Sequence, residues 1–419
     1  MARIAIIGTG IAGMGAAWYL HRDHEITVFE ADNRIGGHTN TVFVEEPGQD
    51  IPIDTGFIVF NNHTYPRLTA LFDALQVKVK KTDMSFAAQI CDEHLEYCGS
   101  SLNKLFAQRR RIFSPRYIRF LKQLNTFNKT CIEVFHNETL SALSIKDYLR
   151  MKKYSDDLLN WYILPMSSAL WSTPPDTTAQ FPVLSLVRFF SNHGFLGLNT
   201  QFQWYTVSGG SEQYKQKLIA PFKERIFVNQ GIRSIRRTSD GVELTDVHGS
   251  VFQFDKVIVA AHGDQALKMW SDASQEERAL LSPFSYQKNV ATLHTDGSIM
   301  PKKKMVWSSW NYRTQTRRNN LVSSCTYWMN SLQDVSDFTD YFVTINDPGI
   351  IDGNKVIKEI VYEHPVFTVE AMKAQAKLPE LNRNGSLYFC GSYFRYGFHE
   401  DALMSAANVC EQILGRKVI

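Results

Sequence analysis

Three glycines near the start of the chain have the spacing of a backbone turn that wraps around a diphosphate. Gly8, Gly10 and Gly13 form a GxGxxG pattern. In such a loop the first glycine allows a tight turn, the second lets the backbone approach a pyrophosphate, and the third lets a helix pack closely on a strand. The N–H groups that open this helix, at Ile11 and Ala12, would face the phosphates. The pattern therefore predicts a dinucleotide-binding loop.

A carboxylate stands at the second position that dinucleotide binding requires. Glu30 follows Gly8 by 22 residues and ends an apolar run that starts at residue 25. An acidic residue at this place can accept hydrogen bonds from a ribose diol, and it repels a 2′-phosphate. Residues 3–8 have the apolar character of a strand that is buried on both faces. The two apolar runs and the glycine loop between them therefore predict a βαβ unit with Glu30 and Ala31 beside the ribose.

A second glycine motif decides between the candidate dinucleotides. The run from Arg34 through Gly36, Gly37 and His38 to Thr39 resembles the second cofactor motif of the flavin amine oxidases, protoporphyrinogen oxidases and phytoene desaturases. In that superfamily the motif is RxGG followed by a further Arg, and it lies against the FAD diphosphate. Here His38 replaces that second Arg, while the two glycines still permit close backbone approach. The resemblance implies that these five residues contact FAD, which is bound non-covalently because no usual attachment-cysteine motif is present.

Two internal stretches extend the resemblance. Gly56, Phe57 and Ile58 correspond to the strand and turn that bring backbone amides to the flavin ring in the same superfamily. Ile232 corresponds to a residue whose backbone contacts the adenine.

The carboxyl-terminal stretch resembles the closing motif of the superfamily, in which a strand ends in Ala-Gly and a helix opens with Glu-Gly-Ala. A helix amino terminus aimed at the flavin would stabilise the anionic reduced ring. The residues implied in cofactor binding are Gly391, Ser392, Phe398, Glu400, Asp401 and Ala402. Asp401 stands where a Gly is usual, and Ala406 replaces a later Gly. The alternative is that Glu400 and Asp401 only cap the helix.

Together the matches predict an α/β protein with a Rossmann-type FAD-binding domain, glutathione-reductase-like and of the amine oxidase type, and an inserted α+β substrate domain. Residues 1–79, 208–285 and 385–419 are expected to form the FAD domain, and residues 80–207 (mostly helical) and 286–384 (a sheet) the substrate domain. The whole chain is most similar to bacterial amine-oxidase-like FAD proteins, whose genes commonly lie beside those of cyclopropane fatty acid synthases. That association favours lipid chemistry.

The composition narrows the class of protein. A length of 419 residues suits two domains, and 44% hydrophobic with 21% charged residues is ordinary for a globular protein. A net charge of +3 is too small to indicate nucleic-acid binding. No apolar stretch approaches the roughly 20 residues that span a bilayer. Six scattered cysteines without a CxxC pair indicate neither a metal site nor a disulfide scaffold. We expect a cytoplasmic protein without a metal centre.

The expected reaction is hydride transfer from a substrate to flavin N5. Because no second GxGxxG is present, the substrate itself is the expected reductant, and O₂, a quinone or a protein is the expected electron acceptor. Such chemistry needs position, desolvation and an occasional base from the protein. The candidate catalytic residues are His399 and Lys288, the latter one position away from the place of a lysine that is common in amine oxidases. His193, His262 and His294 are interpreted as structural.

Aromatic residues predict the substrate pocket. The candidates are Trp204, Trp310, Tyr312, Tyr327, Tyr396 and Phe398. Phe398 corresponds to one wall of the amine oxidase aromatic cage, and such a pocket fits an amine, a polyene or an acyl chain. The favoured function is FAD-dependent oxidation of a hydrophobic small molecule, with an acyl lipid among the candidates. The alternatives are a redox-neutral flavin mutase or isomerase, and a non-catalytic flavin-binding subunit of a lipid-modifying enzyme.

Residues 108–122 combine basic with apolar side chains. The basic ones are Arg109, Arg110, Arg111, Arg116, Arg119 and Lys122. Each basic residue near an anionic leaflet contributes about 1 kcal/mol, so the run could hold the protein peripherally at the inner membrane. The alternative is a solvated surface along which the arginine stems lie. Pro115 predicts two short helical pieces in this run.

Overall fold

A computed structural model of the chain describes residues 1–171, 173–197, 202–317, 320–383 and 385–419. The strands are β1 (Arg3–Ile7), β2 (Glu25–Phe29), β3 (Thr41–Glu46), β4 (Gln49–Asp54), β5 (Val79–Thr82), β6 (Phe86–Ile90), β7 (Leu95–Cys98), β8 (Trp204–Val207), β9 (Ile226–Phe227), β10 (Ile232–Thr238), β11 (Gly241–Asp246), β12 (Val251–Phe254), β13 (Lys256–Val259), β14 (Ser285–His294), β15 (Trp310–Arg317), β16 (Asn320–Trp328), β17 (Phe342–Ile345), β18 (Val356–Val366) and β19 (Leu387–Phe389).

The α-helices lie between these strands, several of them in succession, and short 3-10 turns join some of them. The helices are α1 (Ile11–Leu20), α2 (Pro66–Ala74), α3 (Leu102–Leu105), α4 (Pro115–Thr130), α5 (Glu138–Ser141), α6 (Ile145–Met151), α7 (Asp156–Leu158), α8 (Leu164–Trp171), α9 (Pro175–Thr178), α10 (Val183–Asn192), α11 (Glu212–Ile219), α12 (Gly263–Met269), α13 (Gln275–Leu281), α14 (Met329–Gln333), α15 (Val369–Gln375) and α16 (His399–Leu414). None of these helices is both long and apolar enough to cross a bilayer, within the residues that the structure describes.

A parallel sheet carries the first and last parts of the chain. In the described residues its strand order is β19-β13-β1-β2-β9, and every pairing is parallel. The apolar run of β1 is buried because helices cover one face of the sheet and an antiparallel meander covers the other. The carboxyl ends of parallel strands share one edge of a sheet, where ligands bind in open α/β folds. Gly8, Glu30, Ala260 and Gly391 all follow strands at this edge.

Close helix packing holds one face of the parallel sheet. Helix α1 packs on α16, and a Cβ on Gly15 would lie 2.6 Å from Leu403 Cδ1, so a larger residue there would force the Leu403 side chain to move. The other face is covered by the meander of β10, β11 and β12. The sequence also suggests residues 225–228 as a strand of this meander, which is wrong. That segment is β9, which pairs with β2 and extends the parallel sheet.

A second sheet and a helical layer build the rest of the molecule. In the described residues the sheet order is β18-β14-β17-β16-β15-β6-β7. Strands β6 and β7 come from the segment expected to be mostly helical, whose helices pack around buried aromatic residues such as Phe120, Tyr148 and Trp161. Strands β5 and β8 pair with each other, Val79 opposite Val207, so the chain leaves the first sheet region and returns to it at one place.

Candidate functional site

One cavity of about 760 Å³ runs from the carboxyl edge of the parallel sheet into the space between the second sheet and the helical layer. Its first half, the dinucleotide half, is lined by residues of the glycine loops and strand ends. The predicted cofactor residues that line the cavity are Gly8, Gly10, Ile11, Ala12, Glu30, Ala31, Gly37, His38, Gly56, Phe57, Ile58, Ile232, Gly391, Ser392, Phe398 and Ala402.

The glycine loop has the shape that a bound diphosphate needs. A Cβ added to Gly10 would meet no atom within 4 Å, so the backbone there faces open space in the cavity. A Cβ on Gly13 would lie 1.9 Å from the carbonyl oxygen of Gly8, so Gly13 serves the contact between helix and strand and does not itself line the cavity. Gly37 lies against Gly10, because its Cβ would be 3.2 Å from the Gly10 Cα. The two glycine motifs therefore form one backbone cradle.

A hydrogen-bond network fixes the predicted ribose acceptor. The Glu30 carboxylate accepts the backbone N–H of Thr9 (2.9 Å), the backbone N–H of Asp32 (2.9 Å) and the Thr9 hydroxyl. The Thr9 hydroxyl in turn accepts the backbone N–H of Gly36 (3.1 Å). Thr9 is fully buried and ties the two glycine motifs to the end of β2. It was not singled out from the sequence, although it lies inside the GxGxxG pattern.

Three residues of the second glycine motif do not line the cavity, contrary to expectation. The Arg34 guanidinium donates to the carbonyl oxygens of Gly37 (2.6 Å) and Thr39 (3.0 Å), so it shapes the loop. Gly36 is buried, with a left-handed φ of +124°, and the Thr39 hydroxyl bonds Tyr214. These residues hold the loop in place behind the residues that face the cavity.

The two carboxylates that open α16 are also placed away from the cavity. Glu400 accepts the backbone N–H groups of Arg67 (3.0 Å) and Leu68 (2.9 Å), and so caps the amino terminus of α2. Asp401 accepts the backbone N–H of Phe398 (2.9 Å) and caps its own helix. Burial raises the pKa of both carboxyl groups, that of Asp401 to about 6. The capping alternative therefore describes Asp401, whereas Glu400 caps a different helix from the one that it opens.

Two further predicted residues, Lys288 and Tyr312, do not line the main cavity. Lys288 is exposed on β14, whereas its neighbour Asn289 is buried. Successive side chains of a strand face opposite sides, so an offset of one residue moves a side chain to the wrong face. Tyr312 lies inside the second sheet with 2% of its surface exposed and does not line the main cavity.

His399 lines the cavity in a tightly held position. Its Nε2 lies 2.8 Å from the Tyr214 hydroxyl and 3.3 Å from the Thr39 hydroxyl, and its ring stacks on Phe57 at 4.0 Å. Burial lowers the pKa of His399 to about 3. The imidazole is therefore neutral at physiological pH and already bonded through one nitrogen.

A polar wall of the dinucleotide half is formed by His38, His262, Tyr286, Glu363 and His364, of which the sequence predicts only His38 as a cofactor residue. The His262 ring stacks on Tyr286 at 4.2 Å, and its Nδ1 lies 3.4 Å from a Glu363 oxygen. The rings of His38 and His364 meet edge to face at 5.1 Å. Desolvation lowers the pKa of all three histidines. Strand alternation in residues 356–366 could have indicated His364, but nothing local joins it to His38.

The second half of the cavity, the aromatic half, is lined almost entirely by apolar and aromatic side chains. They are Tyr65, Met84, Phe86, Met166, Trp171, Phe189, His193, Phe195, Trp204, Trp310, Tyr327, Phe367, Tyr396 and Phe398. Phe189 stacks on both His193 (3.8 Å) and Phe398 (5.5 Å). Burial lowers the pKa of His193 to about 4, so its ring is neutral. None of these described lining residues carries a carboxylate.

The backbone cradle, the fixed carboxylate at the end of β2 and the aromatic half beside them define a flavoprotein of the FAD-dependent oxidoreductase class. Residues 11–341 match the family described as flavin containing amine oxidoreductase, and the chain belongs to that family. FAD is accordingly its cofactor, and the cradle at Gly10 and Gly37 fits the diphosphate.

Similar proteins agree with this class. A protein of Mycobacterium tuberculosis assigned as a flavin-containing monoamine oxidase is 26% identical over 255 residues, which cover 59% of this chain and 54% of that protein. An L-amino-acid oxidase of Siganus canaliculatus is 23% identical over 283 residues, covering 64% of this chain and 51% of that protein. The chain thus spans about half the length of the curated relatives it matches.

Solved structures show the same fold across the whole chain. Cyclohexylamine oxidase from Brevibacterium oxydans has a TM-score of 0.72 at 16% identity, covering 99% of both chains. A conjugated-linoleic-acid-producing fatty acid isomerase from P. acnes has a TM-score of 0.68 at 15% identity, covering 100% of this chain and 99% of that one. These likenesses concern the fold.

Proposed function

We propose that the protein removes a hydride from a hydrophobic substrate, with an unsaturated acyl chain as the favoured class. The observation that carries the proposal is the aromatic half of the cavity, whose described lining residues include no carboxylate. A cationic amine moved into such surroundings would lose its hydration without gaining a partner charge. An acyl chain would bury its methylene groups there at about 0.8 kcal/mol each.

We infer that the residues lining the cavity bind and orient the substrate and do not abstract a proton from it. FAD, when bound, supplies the ring that accepts the hydride. Phe189, Trp204 and Phe398 exclude water from the aromatic half and orient a flat or extended substrate. His399 is neutral and bonded to Tyr214, so it holds the wall beside Phe57 and carries no charge. The electron acceptor that follows is O₂, a quinone or a protein.

A redox-neutral isomerase is the second candidate, because the fatty acid isomerase from P. acnes shares the whole fold. In a polyunsaturated acyl chain, loss of a hydride to FAD and of a neighbouring proton to water would leave one more double bond in the chain. Return of the hydride and of a proton from water to other carbons would leave a shifted double bond, with no net electrons removed. The same apolar cavity would suit both reactions.

Anaerobic mixing of the holoprotein with linoleic acid separates the two reactions. We expect lasting loss of the visible flavin absorbance, with a product of two fewer hydrogens found by mass spectrometry. Cyclohexylamine and putrescine, offered at the same concentration, should leave the flavin oxidised. A shifted double bond with the flavin still oxidised would establish the isomerase instead. Reduction by the amines and not by the fatty acid would contradict the acyl proposal, and turnover of neither would favour a non-catalytic flavin-binding subunit.

The structure changes which part of the basic run could meet a membrane. Pro115 is the first residue of α4, so the run forms one 3-10 turn (Arg109–Phe113) and one long helix, not two short helices. Arg116 binds Asp157 at 2.6 Å and Glu93 at 2.9 Å, and its charge is compensated. Arg119 also lies 3.7 Å from the same aspartate. The helix is therefore a poor candidate for contact with anionic lipid.

The corner formed by residues 102–113 is a better candidate. Leu102 and Phe113 are 76% and 86% exposed, and Ile112 is 47% exposed. Arg109 donates only to neutral oxygens, and no described carboxylate forms an ion pair with Arg109 or Arg110. We propose that this corner docks on an anionic membrane, where exposed apolar side chains and uncompensated positive charge are both complementary to the surface.

Vesicle co-sedimentation tests the 102–113 corner. Binding is expected with phosphatidylglycerol-containing vesicles, and it should fall with added salt because surface charges are screened. Arg109→Ala with Arg110→Ala should reduce binding about tenfold or more, at about 1 kcal/mol per residue. Lys122→Ala with Lys129→Ala, two exposed lysines of α4, is the control for an equal change in charge and should bind normally. Equal loss in both pairs, or binding to neutral vesicles alone, would contradict a specific docking corner.

A further inference from the structure

A chain of side-chain amides fixes the direction of hydrogen bonding behind the polar wall. The backbone N–H of Val290 donates to Oδ1 of Asn346 (3.0 Å), so the other end of that amide is its NH₂ group. Nδ2 of Asn346 lies 2.7 Å from Oδ1 of Asn289 and donates to it. Nδ2 of Asn289 must then be the group that meets Nδ1 of His364, at 2.7 Å. Because a backbone N–H can only donate, neither amide can be reversed.

The amide chain determines the tautomer of His364. Nδ1 accepts a hydrogen bond from Asn289, so it carries no proton, and the proton of the neutral ring is on Nε2. A second proton on Nδ1 would face the N–H of Asn289. Burial, with His262 nearby, lowers the pKa of His364 to about 4. His364 is therefore held as a neutral imidazole with one donor and no free acceptor.

The remaining donor belongs to the dinucleotide half of the cavity. His364 lines this cavity, and no described residue forms a hydrogen bond with its Nε2. Its ring meets that of His38, and His38 follows Gly37, which lies against the pyrophosphate loop at Gly10. The His364 side chain is half-buried in the wall of this cavity. A ligand with acceptor atoms in this half of the cavity can therefore receive the hydrogen bond that Nε2–H has to offer.

We propose that His364 donates its Nε2–H hydrogen bond to an acceptor atom of bound FAD, and that Asn289 and Asn346 are positioning residues that fix the required tautomer. The proposal rests on FAD binding and is independent of the substrate class. Its tests use FAD and no substrate, so failure of this proposal and failure of the proposed oxidation can be told apart.

Nitrogen NMR of ¹⁵N-histidine-labelled holoprotein tests the tautomer. The signals that disappear in His364→Gln identify His364, and in the wild type they should show a proton on Nε2 and none on Nδ1. In Asn289→Asp the carboxylate can still accept from Asn346, but it offers an acceptor to His364. We expect Nδ1 to become protonated in this variant. Protonation of Nδ1 in the wild type, or an unchanged tautomer in Asn289→Asp, would overturn the assignment.

Flavin binding tests the destination of the donor. His364→Phe removes one hydrogen bond, so the FAD dissociation constant of the deflavinated protein should rise about tenfold. His364→Gln retains an N–H donor at a similar reach and should lose about threefold or less. His294→Phe removes a buried histidine that does not line the cavity and is the matched control, with FAD affinity unchanged. Equal FAD affinity in the wild type and in both His364 variants would overturn the proposal. An equal loss of FAD affinity in His364→Phe and His364→Gln would also overturn it.

Discussion

Replacement of Gly10 by valine is expected to abolish FAD binding while the fold is retained. Gly10 has φ −61° and ψ 176°, which other residues adopt, and a Cβ there meets no protein atom within 4 Å. The valine side chain would instead occupy the space in which the loop amides approach the diphosphate. Hydrogen bonds to charged groups contribute about 1.5–3 kcal/mol each, so losing two weakens binding by at least about a hundredfold.

Purification and thermal unfolding check this result. The Gly10→Val protein should emerge colourless, fail to take up added FAD, and unfold near the temperature of the wild-type apoprotein. Gly99→Val alters an exposed glycine with equal room for a side chain and should remain yellow. Gly13→Ala should act differently, because its methyl group would collide with the Gly8 carbonyl and destabilise the apoprotein. Full flavin occupancy in Gly10→Val would show that the diphosphate lies elsewhere.

Removal of the Asp54 side chain should cause the largest loss of stability. This buried carboxylate accepts the N–H and hydroxyl of Ser211 (2.9 and 2.7 Å), the Thr41 hydroxyl (2.6 Å) and an Nε2–H of Gln333 (2.7 Å). It joins β4, the glycine turn before α11, and α14. Asp54→Ala leaves these donors unpaired, and we expect the free energy of unfolding to fall by about 3 kcal/mol. Urea unfolding of the apoprotein measures this change.

Two variants and a pH series sharpen the Asp54 test. Asp50→Ala alters an exposed residue of the same strand and should change stability little. Burial raises the pKa of Asp54 to about 6, so between about pH 4 and pH 6 the folded protein holds a proton that the unfolded chain releases. The contribution of Asp54 to the free energy of unfolding of the wild type should therefore be greatest below about pH 4 and decline as the pH rises to about 6. Asp54→Asn should remove that part of the decline. If Asp54→Ala were as stable as the wild type, the contact of β4 with the turn before α11 and with α14 would not depend on this carboxylate.

Local patterns in the sequence indicated most of the residues of the glycine loops and strand ends that line the dinucleotide half. The glycine spacing and Glu30 lie within one βαβ unit, where the chemistry of each residue follows from its place in a turn or at a strand end. Thr9 lies in the same pattern and was overlooked because its role depends on reaching both Glu30 and Gly36. Motif comparison alone does not reveal hydrogen bonds between separate motifs.

Distant contacts decided the residues that the sequence misjudged. Glu400 caps a helix that begins at Pro66, a partnership invisible in local sequence. Lys288 failed through an offset of one residue on a strand, which reverses the face of a side chain. His364 gains its place only when β18 pairs with β14 and brings it to Asn289. Tertiary pairing, not residue type, set these outcomes.

The layout of the parallel sheet has a consequence for biosynthesis. Strand β1 pairs on one side with β2, its near neighbour, but on the other side with β13, which in turn pairs with β19. At about 5–20 residues per second, a ribosome needs tens of seconds between the first and the last of these strands. During that time one edge of β1 lacks its partner, and α2 lacks its cap from α16. We therefore expect this strand edge to stay open to other chains during synthesis, and flavin capture to follow the synthesis of α16.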